Sequence, residues 1–228
     1  MSATVSGVAS TNRRAPLSQC RSSPGQVVCM RPSLSSWRHS VPGAQVCSTL
    51  AFEDGGAFAS VTLINNAGLV PRAAPLDAIP VAELAEALRV DLEAPMLLTS
   101  AFLRATGAWR AQRRVLNISS GLGRRPMASQ AAYCAAKAGM DHFTRCVALE
   151  EAGKPDGAKL CSLAPGVIDT DMQVQLRSAD ASQFPDIGNF IGLKDKGMLT
   201  STAEAAARVL AVLGRADFGA NPVADVRD

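Results

Sequence analysis

From Val61 onward the chain alternates short, apolar, β-branched runs, each stopped by a Gly, Pro or Asn turn, with longer stretches of helical period. That alternation constrains the fold more than any other feature. Val61-Thr62-Leu63-Ile64 closes on Asn65-Asn66-Ala67-Gly68, a buried strand followed by a tight turn. Pro80 to about Ala105 is helical by pattern, with apolar positions at Val81, Leu84, Leu88, Leu92 and Met96 and acids at Glu83 and Glu86 in the first turns. Pro95 lies inside that pattern and predicts a kink or division near Asp91, because proline cannot donate to the carbonyl four residues back. Arg113 to Ser120 reads as the next strand, and Gln130 to Glu151 as a long Ala-rich helix ended by Gly153 and Lys154-Pro155-Asp156-Gly157. Ala158 to Ala164 is a further strand, stopped by Pro165-Gly166. A mixed region to about Thr200 precedes a helix from Ser201 to Leu213, with Ser201 as N-cap and Glu204 completing a capping box. The tail after Gly214 reads as irregular. Strand, helix, strand, helix in this order predicts a parallel sheet with crossover helices, a doubly wound α/β fold.

With 228 residues and 47% hydrophobic content, one domain with a sizeable core is expected. No apolar run reaches the eighteen residues of a membrane span, and a net charge of +3 gives no reason to invoke nucleic acid or an anionic membrane. A soluble, cytoplasmic protein is the expectation. Cysteines 20, 29, 47, 134, 146 and 161 form no Cys-x-x-Cys pair, and His39 and His142 stand at no metal spacing, so no metal site is expected. The charge is unevenly placed. Residues 1–52 hold five arginines and no acid, against 18 basic and 20 acidic residues in 53–228. This first segment is rich in Ser, Arg and Pro, and only Gln26-Val27-Val28-Cys29-Met30 reads as a short strand. Three readings of it stand open: a disordered extension, a transit peptide, or a stretch translated in the wrong frame. The chain thus divides into an atypical segment, 1–52, and an α/β domain, 53–228.

Tyr133, the only tyrosine, stands four residues before Lys137, so in a helix both project from one face. An ammonium beside a phenol favours the phenolate and predicts a proton donor and acceptor usable near neutral pH. Ser120, thirteen positions upstream of Tyr133, is expected to end a strand at its carboxyl edge, where open α/β sheets carry their chemistry. Each piece also has an ordinary explanation: a turn, a strand terminator, an Ala-rich packing helix.

Taken together and in order, Asn65-Asn66-Ala67-Gly68, Ser120, Tyr133-x-x-x-Lys137 and Pro165-Gly166-Val167-Ile168-Asp169-Thr170 resemble the short-chain dehydrogenase/reductase family over roughly residues 60–228. Gly123-Arg124-Arg125-Pro126 and Asn221-Pro222-Val223 are similar to the branch of sepiapterin and benzil reductases. The resemblance implies a Rossmann-like sheet and hydride transfer between NADP or NAD, NADP favoured by the branch, and a small carbonyl or alcohol substrate. It implies that Tyr133 is the general acid or base, that Lys137 holds its phenol and bonds the nicotinamide ribose, and that Ser120 polarises the substrate oxygen. Asn65, Ala67 and Gly68 would line the adenosine ribose and diphosphate. Pro165, Gly166, Val167 and Thr170 would meet the nicotinamide, alongside Tyr133 and Lys137. Residues 171–199, with Met172, Phe184, Ile187, Phe190 and Leu193, would cover an apolar substrate. The helices 80–105 and 130–151 would pair copies of the chain into a homodimer or homotetramer.

Two departures follow from the same resemblance. The family places an asparagine where this chain has Asp91, which is nearly isosteric but carries a charge that shifts Lys137 and Tyr133, predicting weakened activity. The family also opens on a strand and a Gly-rich turn that takes the cofactor diphosphate at a helix N-terminus. Gly7, Gly25 and Gly43 are isolated and make no such turn. The rival expectation is therefore an inactive remnant that binds no dinucleotide and serves as an interaction or dimerisation module.

Overall fold

The computed structural model describes residues 58–228 and the strand Gln26–Met30. The rest of the atypical segment, with the expectations placed on it, lies outside the described residues. Five strands form one sheet in chain order: β1 (Gln26–Met30), β2 (Ser60–Asn65), β3 (Gln112–Ile118), β4 (Lys159–Ala164) and β5 (Val223–Asp225). All neighbours pair in parallel, with Cys29 opposite Ile64, Ile64 opposite Leu116, Leu116 opposite Cys161, and Ser162 opposite Val223. The helices are α1 (Val81–Leu88), α2 (Ala94–Thr106), α3 (Ala131–Ala152), α4 (Asp171–Arg177), α5 (Ile187–Asp195) and α6 (Thr202–Gly214).

The two faces of the sheet follow from the period of two along each strand. Val61, Leu63, Val115 and Leu160 pack with Leu98, Phe102 and Val147 of α2 and α3. Their chain neighbours Ile64, Leu116, Cys161 and Leu163 point the other way, onto Leu213 of α6 and onto Phe218. Helices therefore cover both faces of a parallel sheet, the Rossmann-like α/β arrangement the alternation predicts.

Several local expectations change. The tail after Gly214 is not irregular throughout, since β5 extends the sheet, with Ser162 N donating to Pro222 O at 2.8 Å and Val226 N to Ala164 O at 3.0 Å. Three residues are too few to show a period. The mixed region before Thr200 contains α4 and α5. Ser201 does cap α6, its Oγ accepting from Glu204 N at 3.2 Å. Glu204 instead turns to Arg208 at 2.6 Å, leaving the second half of the capping box unmade.

The stretch from Pro80 is divided where Pro95 requires it. A π-helical segment, Arg89–Glu93, separates α1 from α2. Pro95 has no N–H for the carbonyl of Asp91, and a wider turn accommodates the missing bond. The consequence is functional geometry: the wide turn leaves Asp91 with no exposed surface at all.

After α3 the chain reverses through a turn in which Lys154 N donates to Glu151 O at 3.0 Å and Gly157 N to Lys154 O at 3.2 Å. A Cβ on Gly157 would lie 1.8 Å from the Glu151 carbonyl oxygen, so the backbone itself would have to move. Gly157→Ala is expected to cost about 1–3 kcal/mol, which at roughly 2–4 °C per kcal/mol for a domain of this size is a drop of about 2–12 °C in Tm. Thermal unfolding followed by circular dichroism checks it, and an unchanged midpoint would contradict the close approach.

Candidate active site

Parallel strands deliver their C-terminal ends to one edge of the sheet, and the residues of interest gather there. Among the described residues no helix is long and apolar enough to cross a membrane, and no cluster of His, Cys, Asp and Glu is placed to hold a metal ion.

At the end of β2, Asn65 is buried, and its Nδ2 donates to Asn117 Oδ1 at 2.7 Å and Thr99 Oγ1 at 3.3 Å. Asn117 Nδ2 in turn donates to Thr144 Oγ1 at 2.9 Å. Asn65 thus braces β2 against β3, α2 and α3 from beneath, whereas Asn66 and Gly68 are the exposed residues of the turn and Ala67 is half-buried.

β3 stops at Ile118, two residues short of the expected end at Ser120. Ser119 N still donates to Leu163 O of β4 at 2.9 Å while its Oγ donates to Asp141 Oδ1 at 2.6 Å, and Ser120 caps the 3-10 turn Gly121–Gly123, its Oγ accepting from Leu122 N at 3.2 Å. The Ser120 hydroxyl is the polar neighbour that acts on the Tyr133 phenol on α3.

One turn further along α3, Lys137 is 3% exposed. Its Nζ donates to Ile118 O at 3.1 Å and pairs with Asp91 Oδ1 at 3.4 Å, 5.5 Å from the centre of the Tyr133 ring. Asp91 Oδ1 also accepts from Leu69 N at 3.1 Å. The backbone at Gly68 passes over this pair, a Cβ there lying 3.4 Å from Asp91 Oδ1 and 3.8 Å from Lys137 Nζ. Ser120, Tyr133, Lys137 and Asp91 are therefore brought together.

The electrostatics correct the expectation of a phenol drawn toward neutrality. Burial first, and then the Asp91 carboxylate, push the Tyr133 phenol well above its ordinary value, with the Ser120 hydrogen bond acting in the opposite sense. Lys137 is not among the groups that move the phenol, and its Nζ is paired with Asp91. The Asp91 carboxyl is itself raised by burial, against the pull of Lys137 and the Leu69 amide.

Asp141, one turn beyond Lys137, is the principal residue that pattern reading missed. Buried at 2% exposure, it accepts from Ser119 Oγ on Oδ1, from Ser162 Oγ at 2.6 Å on the same atom, and from Arg124 Nε at 3.2 Å on Oδ2. It fastens β3, β4 and the turn after Ser120 to α3. Gly123 belongs to the same contact, since a Cβ would lie 3.0 Å from the Lys137 carbonyl. The i, i+4 spacing from Lys137 was a usable signal.

Above Tyr133 sits an apolar cluster of Val70, Leu176, Phe184 and Phe190, with Met172 and Ile187 packed against it. Phe184 and Phe190 pack with their rings tilted by 38° and ring centres 5.4 Å apart. Four of the five covering residues expected from the sequence belong to this cluster; Leu193 does not. The segment after β4 runs half-buried from Pro165 to Thr170, with Gly166 at φ +84°, a left-handed turn that glycine accommodates without strain. It is held by Thr200 N donating to Val167 O and Asp169 N donating to Thr200 O, each at 2.9 Å. The site is thus a buried proton-carrying phenol beside an ion pair, roofed by apolar side chains and flanked by two half-open turns at the strand ends.

Residues 59–181 match the family model for the short chain dehydrogenases. The benzil reductase ((S)-benzoin forming) of Bacillus cereus is 40% identical over 159 residues, 70% of this chain and 64% of that protein. The sepiapterin reductase of Xenopus tropicalis is 31% identical over 163 residues, 69% of this chain and 60% of that protein. The chain thus spans less than two thirds of the length of either relative. Among solved structures, a 3-oxoacyl-[acyl-carrier protein] reductase from Brucella melitensis in complex with NAD superposes with a TM-score of 0.67 at 22% identity, covering 89% of this chain and 77% of that one, a likeness of fold. With the family model spanning more than half the chain, and these two reductases as relatives, the chain belongs to the short chain dehydrogenases, near the benzil and sepiapterin reductases.

Proposed function

We propose that this chain is an NAD(P)-dependent oxidoreductase that reduces the carbonyl of a small, largely apolar substrate, with Tyr133 as the general acid. The observation that carries this reading is the placement of the Tyr133 phenol, a protonated group 7% exposed, between Ser120 and the apolar cluster. A carbonyl turning into an alcohol needs one proton at its oxygen, and Tyr133 holds one there. Because Ser120 Oγ accepts from Leu122 N, its own O–H is left to donate to the same substrate oxygen. Positioned proton transfer of this kind is worth about 10²–10⁴ in rate.

The described residues fit the nicotinamide end of a dinucleotide. Pro165, Gly166, Val167 and Thr170 present a half-open turn at the end of β4, and Lys137 has a third N–H beyond those given to Ile118 and Asp91. That N–H would meet a ribose hydroxyl. Ala67 and Gly68, braced from below by Asn65, would flank the adenosine side. A bound nicotinamide would supply the hydride. NADP is the favoured form by the branch of relatives. The apolar positions left outward on α1, α2 and α3, with Val81 81%, Met96 41% and Leu149 77% exposed, support pairing into a homodimer or homotetramer.

A titration of the purified full-length chain with NADPH and NADH, followed by nucleotide fluorescence and by thermal unfolding, tests the reading. Binding at about micromolar Kd, roughly 8 kcal/mol, is expected for NADPH, with about 2.7 kcal/mol of added stability at one hundred times Kd. Oxidation of NADPH by an aromatic 1,2-diketone should follow. If neither nucleotide binds at millimolar concentration, the chain is a remnant that keeps the site's form without its reaction.

A further inference from the structure

Asp91 carries more than the positioning of Lys137 demands. It lies on the π-helical segment with no exposed surface; its Oδ1 takes the Leu69 N–H and the Lys137 ammonium, while its Oδ2 has no hydrogen-bond partner among the described residues. Lys137 is 3% exposed, and its other recorded partner, the Ile118 carbonyl, is neutral. Two opposite charges are thus matched one to one in a place from which water is excluded, where a charge left unmatched acts over several ångströms.

Among the described residues, the charged and titratable groups that face Tyr133 are few. The π-helical segment contributes Asp91, and its own helix Lys137 and Cys134. Ser120 faces it from the turn after β3. Val70, Leu176, Phe184 and Phe190, from the loop after β2 and from the segments around α4 and α5, are all apolar. A lone ammonium 5.5 Å from the ring would draw the phenol toward the phenolate; the carboxylate at 3.4 Å from that ammonium removes the pull.

We propose that Asp91, by neutralising Lys137, holds the Tyr133 proton in place well into alkaline medium, so that the rate of alcohol oxidation, which requires a phenolate, keeps rising with pH where an unanswered ammonium would let it level off. The inference rests on the reading of Tyr133 as the acid. It makes Asp91 a positioning residue for charge, acting on the reaction through Lys137 and Tyr133.

Because Tyr133 is the only tyrosine in 228 residues, phenolate absorption in the ultraviolet reports on this one side chain with neither nucleotide nor substrate present. In the unsubstituted chain the band should appear only as the native circular dichroism is lost at high pH. Asp91→Asn keeps the shape and exposes the ammonium, so the band should appear in the folded protein at a pH lower by about one unit or more. Asp91→Asn combined with Lys137→Met removes both charges and should return the titration to within about half a unit of the original. Superimposable titrations of the original chain and Asp91→Asn would overturn the proposal. Should Asp91→Asn fail to fold, the double variant alone decides, and a displacement of its titration by a full unit would overturn the proposal.

Turnover provides the second arm. With NADP(H), kcat/KM for alcohol oxidation is expected to rise with pH and to level off about one unit or more lower in Asp91→Asn, in step with the phenol. Superimposable pH–rate profiles for oxidation in the original chain and Asp91→Asn would overturn the proposal. A shifted absorption titration without turnover in either chain would overturn the reductase reading, leaving only the electrostatic pairing.

Discussion

Replacing Tyr133 with phenylalanine is expected to lower turnover about 10²–10⁴-fold while leaving nucleotide affinity and thermal stability nearly unchanged. On the proposed reading, the phenol is the group among the described residues that would hold a proton at the substrate oxygen. Val70, Leu176, Phe184 and Phe190 around it have none to give. Lys137 is engaged by Ile118 and Asp91, and the ion pair would have to be broken for it to act as the acid. The ring itself is 93% removed from solvent and packs in the apolar cluster, which phenylalanine fills equally well. Losing one partly satisfied hydroxyl should therefore alter Tm by no more than a few degrees. Steady-state kinetics, nucleotide titration and thermal unfolding of the same preparation separate these effects. A variant that retains turnover would show that another group supplies the proton, and a variant that loses nucleotide binding would place Tyr133 in cofactor recognition instead.

What could be read from the sequence follows the range of the interactions involved. Strand and helix type came from local period and turn chemistry, so β2, β4, α3 and α6 fall within a residue or two of where the pattern places them. Pro95 announced the break before α2 because a missing N–H is a local fact, and the π-helical segment is its form. β5 was invisible because three residues acquire their strand character only from pairing with β4. The site divides in the same way. Tyr133 and Lys137 lie one turn apart on one helix, so their proximity was legible. The sign of their electrostatic coupling was not, because it depends on Asp91 arriving from another element and on burial, neither of which has a local signature. Asp141 illustrates the intermediate case: its spacing from Lys137 was plain, but its meaning came from Ser119, Ser162 and Arg124 converging on it across the sheet.

Glu151→Ala is expected to be the most damaging single change to stability, costing about 3–5 kcal/mol and roughly 10 °C or more in Tm. Glu151 is 1% exposed at the end of α3. It accepts from Ala158 N at 2.8 Å and from Arg113 Nη2 at 3.5 Å, and Lys154 closes on its other oxygen. Lys154 is about half exposed, so its share of the cost is small. Arg113 is different. At 4% side-chain exposure on β3 it would keep a single recorded acceptor, Asp156 O at 2.7 Å, with its charge unanswered. Burial raises the Glu151 carboxyl, but the Lys154, Ala158 and Arg113 contacts together outweigh it and hold the group below its ordinary 4.5. A depressed carboxylate contributes stability that is fully present above the unfolded value and lost as pH falls through the folded one. The difference in Tm between the original chain and Glu151→Ala should therefore be constant from neutrality down to about pH 5 and shrink below it. Removing both charges with Glu151→Leu and Arg113→Met should recover part of the loss, since a buried pair replaced by apolar groups is often neutral or better. If Glu151→Ala melted with the original chain at neutral pH, the network joining β3, α3 and the turn before β4 would hold nothing. If the double change were worse than the single one, the cost would belong to lost packing and the Ala158 amide rather than to the stranded charge of Arg113.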